Sequence, residues 1–265
     1  MTDTTKSSMD DTRRENINDA RTFYEAAPQH VDGALDMVIA FDTTGSMASY
    51  IDAVRKEVAD LIPRLFADNE DLRLGIVAFG DYCDMLGPQE FGDAYQCIKP
   101  TNNENDLIRF VVNSRDTNGG DGDEFYELVL KKIIEETPWR DGAAKSVLLI
   151  ADADPHPLGY SFGEMVINNQ ISWWREANKA AALKIKIDTV TISSLPWFRE
   201  LSEITHGVSV PFKTSYMTGR LIEAAVYVRG SEKAKARFDV NYKRCNDDEE
   251  RMIYASFVSE RYSER

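Results

Sequence analysis

Asp42, Thr44 and Ser46 stand at alternate positions of the run Asp42-Thr43-Thr44-Gly45-Ser46. Alternate side chains of an extended turn can converge on one point. One carboxylate with two neutral hydroxyls is a weak set of hard oxygen ligands, and it suits a Mg²⁺ that keeps several of its waters. Such a site leaves coordination positions open, and a carboxylate from a partner could fill one. Two further polar stretches carry the same kind of atoms. Thr117-Asn118-Gly119-Gly120-Asp121-Gly122-Asp123-Glu124 is an acidic glycine loop, and Asp152-Ala153-Asp154-Pro155-His156 is a second acidic turn.

The elements around these stretches set where they fall. The apolar run Leu35–Phe41 predicts a buried strand, and Ile51, Val54, Val58, Leu61 and Leu65 predict a helix over 47–67. Asp42 to Ser46 is therefore a strand-to-helix turn. Leu72–Phe79 reads as a second strand, 84–100 as an irregular stretch holding an edge strand, and 104–115 as a short helix. A helix with Leu128, Val129, Ile133 and Ile134 follows the glycine loop. The apolar strand Ser146–Ile150 leads into the turn at Asp152. A helix near 168–183, a strand Ile185–Ile192, a short helix Phe198–Thr205, a strand Gly207–Phe212 and a helix 215–228 complete the alternation. Strands that alternate with helices, and that read as apolar runs, predict an α/β fold with a parallel sheet covered on both faces. Open sheets of this kind bind ligands outside the carboxyl ends of their strands, at the switch point in strand order. All three polar stretches fall at or near that edge.

Composition narrows the partners. Among 265 residues, 31 Lys and Arg against 45 Asp and Glu give a net charge of −14, which argues against a nucleic-acid groove or an anionic membrane surface. No apolar run approaches the ~20 residues of a membrane span, and Met1 to Asp11 has no apolar core of a signal peptide. Cys83, Cys97 and Cys245 are an odd set without metal spacing, so a reduced, cytoplasmic setting is expected.

The Asp-x-Thr-x-Ser turn resembles the metal-ion-dependent adhesion site of von Willebrand factor A (vWA) domains, usually Asp-x-Ser-x-Ser. Further stretches are similar to the same family: Arg73 to Tyr82, Thr117 to Asp121 with Glu124, Trp139 to Ala143, and Phe198 to Leu201 before His206-Gly207-Val208. The second and third loops look most like the branch found in alpha-kinase-associated and hemicentin-like A domains. The resemblance implies a Rossmann-like vWA fold: a doubly wound, mostly parallel six-stranded sheet with one antiparallel edge strand and helices on both faces. It implies a Mg²⁺ or Mn²⁺ held by Asp42, Thr44 and Ser46 from the first loop and Asp152 from the third. In the second loop Thr117 and Glu124 are the candidates by position, with Asp121 placed to act through water or on a neighbouring cation. Thr44 departs from the commoner Ser, and Asp123 stands where related chains often have Pro.

The chain divides, on this reading, into a polar N-terminal segment with a short helix (1–32, the helix over 11–27), a vWA domain (33–230) and a charged C-terminal extension (231–265). In that extension Met252, Ile253, Tyr254, Phe257 and Val258 give an amphipathic turn or two, placed to pack on the domain or to dock a partner. Plainer roles compete at several positions. Thr44 and Ser46 read as helix N-caps, Asp154 as a turn former, His156 as a loop histidine, Asp81 as a solvated turn residue, and Trp173, Trp174 and Trp197 as cover for the sheet.

The expected function is a metal-dependent protein–protein interaction module, not an enzyme, whose ion takes a Glu or Asp from a protein partner. Family resemblance adds an ATPase, kinase or phosphatase of the same system as the class of partner. A haloacid-dehalogenase-type hydrolase is the first alternative. It wants Asp-x-Asp after the first strand, one residue as nucleophile and one as general acid, and Thr44 takes the second position here. A metal-independent acidic scaffold is the other.

Overall fold

The computed structural model describes residues 33–262. The polar segment 1–32 and its expected helix lie outside the described residues. The strands run β1 (Leu35–Asp42), β2 (Leu72–Phe79), β3 (Tyr95–Thr101), β4 (Asp123–Glu124), β5 (Ala144–Ala151), β6 (Asp154–Pro155), β7 (Ile185–Thr191) and β8 (Ser209–Pro211). Six of them form one sheet in the order β3-β2-β1-β5-β7-β8, with β4 and β6 pairing separately. Only β3 is antiparallel to its neighbour within the large sheet. This is the α/β fold with a parallel sheet that the apolar runs predict, in the doubly wound, mostly parallel form that the resemblance implies.

Every residue of β1 is buried, and its alternation sorts the core into two layers. Leu35, Met37, Ile39 and Phe41 pack with α1 (Ile51–Asp68), α2 (Glu104–Asn113) and α6 (Ser215–Arg229). Val38 and Ala40 face α3 (Tyr126–Glu136), α4 (Trp173–Ala182) and α5 (Pro196–Ile204). The chain leaves β1 toward β2 on one side and returns to β5 on the other. The switch point therefore lies between Asp42 and Ala151.

Three local expectations change. The helix expected from 47 begins at Ile51, behind a 3-10 turn over Gly45–Ser49. Trp174 does not cover the sheet: it is 55% exposed, whereas Trp197 is buried. The C-terminal stretch forms three helices, α7 (Glu232–Arg244), α8 (Asp248–Ser256) and α9 (Val258–Tyr262). Ala234, Phe238, Ile253, Tyr254 and Phe257 join the same apolar cluster as Leu35 and α6. Arg229, at the end of α6, is buried and donates to Asp188 of β7, to Ser146 Oγ of β5 at 2.7 Å and to Glu260 of α9 at 2.9 Å. That network ties the last helix to the sheet.

Candidate metal centre

Backbone hydrogen bonds lash the three polar loops together at the switch point. The Thr117 N–H donates to the Thr43 carbonyl at 3.0 Å, and the Gly45 N–H to the Asn118 carbonyl at 3.1 Å. β4 pairs in parallel with β6, and the His156 N–H reaches the Glu124 carbonyl at 3.3 Å. Gly119 allows the close approach. Its φ of +68° is a left-handed conformation that disfavours side chains, and a Cβ there would stand 2.9 Å from Glu124 Oε1 and 3.3 Å from Thr44 Cβ.

Within this frame five of the expected residues meet. Asp42 is fully buried, and its Oδ1 accepts from the Thr44 N–H at 2.8 Å and from the Thr44 hydroxyl at 2.7 Å. Thr44 Oγ1 lies 3.1 Å from Ser46 Oγ. The Ser46 side chain stands close enough to Asp152, and the Thr44 side chain close enough to Glu124, to lower the cost of charging those carboxyls. Neither hydroxyl is occupied as a helix cap: the first turn and α1 both begin without a side-chain cap. Ser46 is exposed and Asp152 half-buried, so the cluster opens to solvent on their side.

The electrostatics show what the cluster lacks. Among the described residues no lysine or arginine pairs with Asp42, Glu124 or Asp152. Asp152 Oδ1 and Glu124 Oε2 are shielded from solvent and have no hydrogen-bond partner. Burial pushes Asp42 up to about 7 and Glu124 up to about 10, Glu124 being raised further by Asp42 and Asp81 nearby. Burial raises Asp152 as well. Buried carboxylates without a counter-charge are costly. A divalent cation would supply that charge and take up both orphaned oxygens.

The remaining expected residues sit apart. The Thr117 hydroxyl pairs instead with Thr43 Oγ1 at 3.0 Å. Asp121 is exposed and accepts from the Tyr160 hydroxyl at 2.8 Å, in the company of Asp81 and His156. Asp154 is exposed on β6. One of the plainer expectations is overturned, since Asp81 is not a solvated turn residue, and His156, which does lie in a loop, is packed beside it. Both side chains are buried, with His156 Nε2 2.7 Å from Asp81 Oδ1.

Two further residues position the loops. Tyr126, fully buried at the start of α3, donates its hydroxyl to Asp42 Oδ2 at 2.5 Å. The Tyr126 hydroxyl oxygen in turn accepts the backbone N–H groups of Asp152 at 3.4 Å and Ala153 at 3.3 Å. Asp84 accepts the N–H groups of Asn118 at 2.9 Å, Gly119 at 3.2 Å and Asp81 at 3.1 Å. Tyr126 reads in the sequence as one more apolar helix position, and nothing marks Asp84 as a loop anchor. Tyr126→Phe keeps the ring but leaves a buried carboxylate oxygen without its donor, at a cost of roughly 1.5–3 kcal/mol. The variant should melt several degrees lower and bind Mg²⁺ more weakly. A calorimetric scan with an unchanged melting temperature would show that the hydroxyl does not anchor Asp42.

The sequence matches the family model of the von Willebrand factor type A domain over residues 36–215. The chain belongs to this family. A comparison with curated proteins gives no match. A domains are in general protein-interaction modules, which accords with three loops gathered at one edge. Among the described residues of this A domain, no helix is long and apolar enough to cross a membrane.

Proposed function

We propose that this A domain is a metal-dependent protein-binding module with an adhesion-type site. In this reading Asp42, Thr44, Ser46 and Asp152, with Glu124 from the second loop, hold a Mg²⁺ or Mn²⁺. Thr117 stands behind the first loop and sets its position. The ion would supply a Lewis-acidic point of attachment on the solvent-facing side, beside exposed Ser46. A glutamate or aspartate of a protein partner would complete its coordination. The observation that carries this is the pair of orphaned carboxylate oxygens, Asp152 Oδ1 and Glu124 Oε2, in a cluster with no basic side chain. An all-oxygen set of hard donors favours Mg²⁺ or Mn²⁺ over softer ions.

The hydrolase alternative has less support. The general-acid position is Thr44, whose hydroxyl already donates to Asp42 Oδ1. The branch assignment, the cytoplasmic setting and a partner among ATPases, kinases or phosphatases belong to the same proposal and rest on the resemblance of the loops. The test is affinity capture in Mg²⁺ buffer with the full chain as bait. Partners should be retained by wild type, released by EDTA, and absent with Asp42→Asn. Identical capture under all three conditions would reject a metal-bridged contact.

A further inference from the structure

We infer that Asp81, Asp121 and His156 form a second cation site, separate from the oxygen cluster around Asp42, and that it takes a borderline first-row divalent ion, Zn²⁺ fitting best. One carboxylate oxygen from each aspartate and one ring nitrogen of His156 lie within 4.8 Å of one another. These residues come from three loops and have no motif spacing, so only the fold brings them together.

The unpartnered atoms point to a ligand. Asp81 is 0% and His156 2% exposed. Asp81 Oδ2 and His156 Nδ1 are nonetheless buried without hydrogen-bond partners. A single proton between Nε2 and Asp81 Oδ1 links that pair but does nothing for Oδ2, nor for the nearby Asp121 carboxylate. No lysine or arginine pairs with Asp81 or Asp121 among the described residues. A divalent ion would serve both carboxylates at once.

Geometry and chemistry select the class of ion. Zinc binds nitrogen and oxygen at about 2.0–2.2 Å, so two of its tetrahedral ligands stand roughly 3.3–3.6 Å apart. His156 Nε2 and Asp81 Oδ1, joined by a hydrogen bond at 2.7 Å, need to open only slightly for the ion to take the place of the proton between them. An imidazole among the donors favours zinc and its first-row neighbours over Mg²⁺ or Ca²⁺, which prefer oxygen alone. The surroundings hold the donors in place. The Tyr160 hydroxyl donates to Asp121 Oδ2 at 2.8 Å, and the Tyr160 ring stacks on His156 at 3.7 Å between centroids. Partners of this kind fix ligand orientation in metal sites. Exposed Asp121 forms the outer wall, so three protein donors would leave a position for water or a guest. The second ion would sit on the same loop edge as the first, because Asp121 and Glu124 share one loop and the His156 N–H bonds the Glu124 carbonyl.

The test uses the full chain in saturating Mg²⁺, with Co²⁺ as a visible probe and Zn²⁺ as its competitor. We expect one equivalent of Co²⁺ to bind with ligand-field absorption and to be displaced by Zn²⁺. Asp121→Asn, at an exposed position where the amide oxygen can still accept a hydrogen bond, should weaken Co²⁺ at least ~10-fold and leave the Mg²⁺-induced thermal shift intact. His156→Gln should abolish the absorption, with circular dichroism reporting whether it folds. Asp42→Asn should lose the Mg²⁺ effect and keep the Co²⁺ equivalent, so failure of either site is distinguishable from failure of the other. Absence of a Co²⁺ equivalent under excess Mg²⁺, or Co²⁺ binding that Asp121→Asn does not weaken, would overturn the second site.

Discussion

Millimolar Mg²⁺ should raise the melting temperature of this protein at pH 8 by about 5–10 °C, and by much less at pH 5.5. The magnitude follows from mass action. A ligand at one hundred times its dissociation constant stabilises the native state by about 2.7 kcal/mol, and each kcal/mol moves a chain of this size by about 2–4 °C. The pH dependence follows from the buried carboxylates. Asp42 is pushed up to about 7 in the folded protein, chiefly by burial, against an unfolded value near 4. A carboxyl raised in this way favours the folded state fully below the unfolded value, and that contribution is lost as pH rises through about 7. Glu124, raised to about 10, extends the same loss to higher pH. The metal-free protein is thus weakened on going from pH 5.5 to pH 8 by charge it cannot pair. A divalent ion binds the ionised forms and displaces the protons, so its stabilisation grows over the same interval. Asp152→Asn removes an orphaned oxygen and should cut the Mg²⁺ shift to a small fraction. Equal shifts at the two pH values, or a full shift in Asp152→Asn, would show that these carboxylates do not bind the ion.

The sheet is legible in the sequence because its strands are buried on both faces. Leu72–Phe79 is apolar but for Arg73 at its start and lies in the interior of the sheet, and the structure returns the same bounds. The edge strand Tyr95–Thr101 is harder to read, since none of its residues is fully buried and Gln96, Lys99, Pro100 and Thr101 interrupt its apolar positions. Asp42, Thr44 and Ser46 stand out because local spacing alone puts them on one turn. Asp81 and His156 do not. Their pairing joins positions 75 residues apart, and each is an ordinary polar loop residue until Tyr82, Tyr160 and Phe125 close over it. The two-residue ladder of β4 on β6 has no periodicity to detect. Tyr126 carries its information in one hydroxyl at the end of an apolar ring. A residue that is core by area and polar by one atom is read from sequence as core. Trp173 and Trp174 show the converse limit. Adjacent positions on a helix point about 100° apart, and only the packed structure decides which of the two turns inward.

Removing residues 231–265 should abolish cooperative folding, although composition marks that stretch as a charged extension and the family match ends at 215. In α7 the buried positions are Ala234 and Phe238, one helical turn apart, with charged residues over much of the remaining surface. Ser231 and Asp247 accept from the N–H groups of Ala234 and Glu250, so α7 and α8 both start on a capped turn. Phe238, Tyr254 and Phe257 are each fully buried against the layer that holds α1 and α6. Loss of one large buried aromatic side chain costs about 3–5 kcal/mol, so loss of all three is on the order of 10 kcal/mol, comparable with the entire stability of a typical domain at 5–15 kcal/mol. Truncation would also take Glu260 away from buried Arg229, which then keeps only Asp188 and Ser146. The shortened chain should therefore aggregate or show near-native far-ultraviolet but no near-ultraviolet dichroism, with no melting transition. A cooperative melt within a few degrees of the full chain would mean that the three helices rest on a core that is complete without them. The extent of the folding unit is in this case set by where the apolar faces of α1 and α6 find cover, which lies beyond the last residue that the shared family pattern reaches.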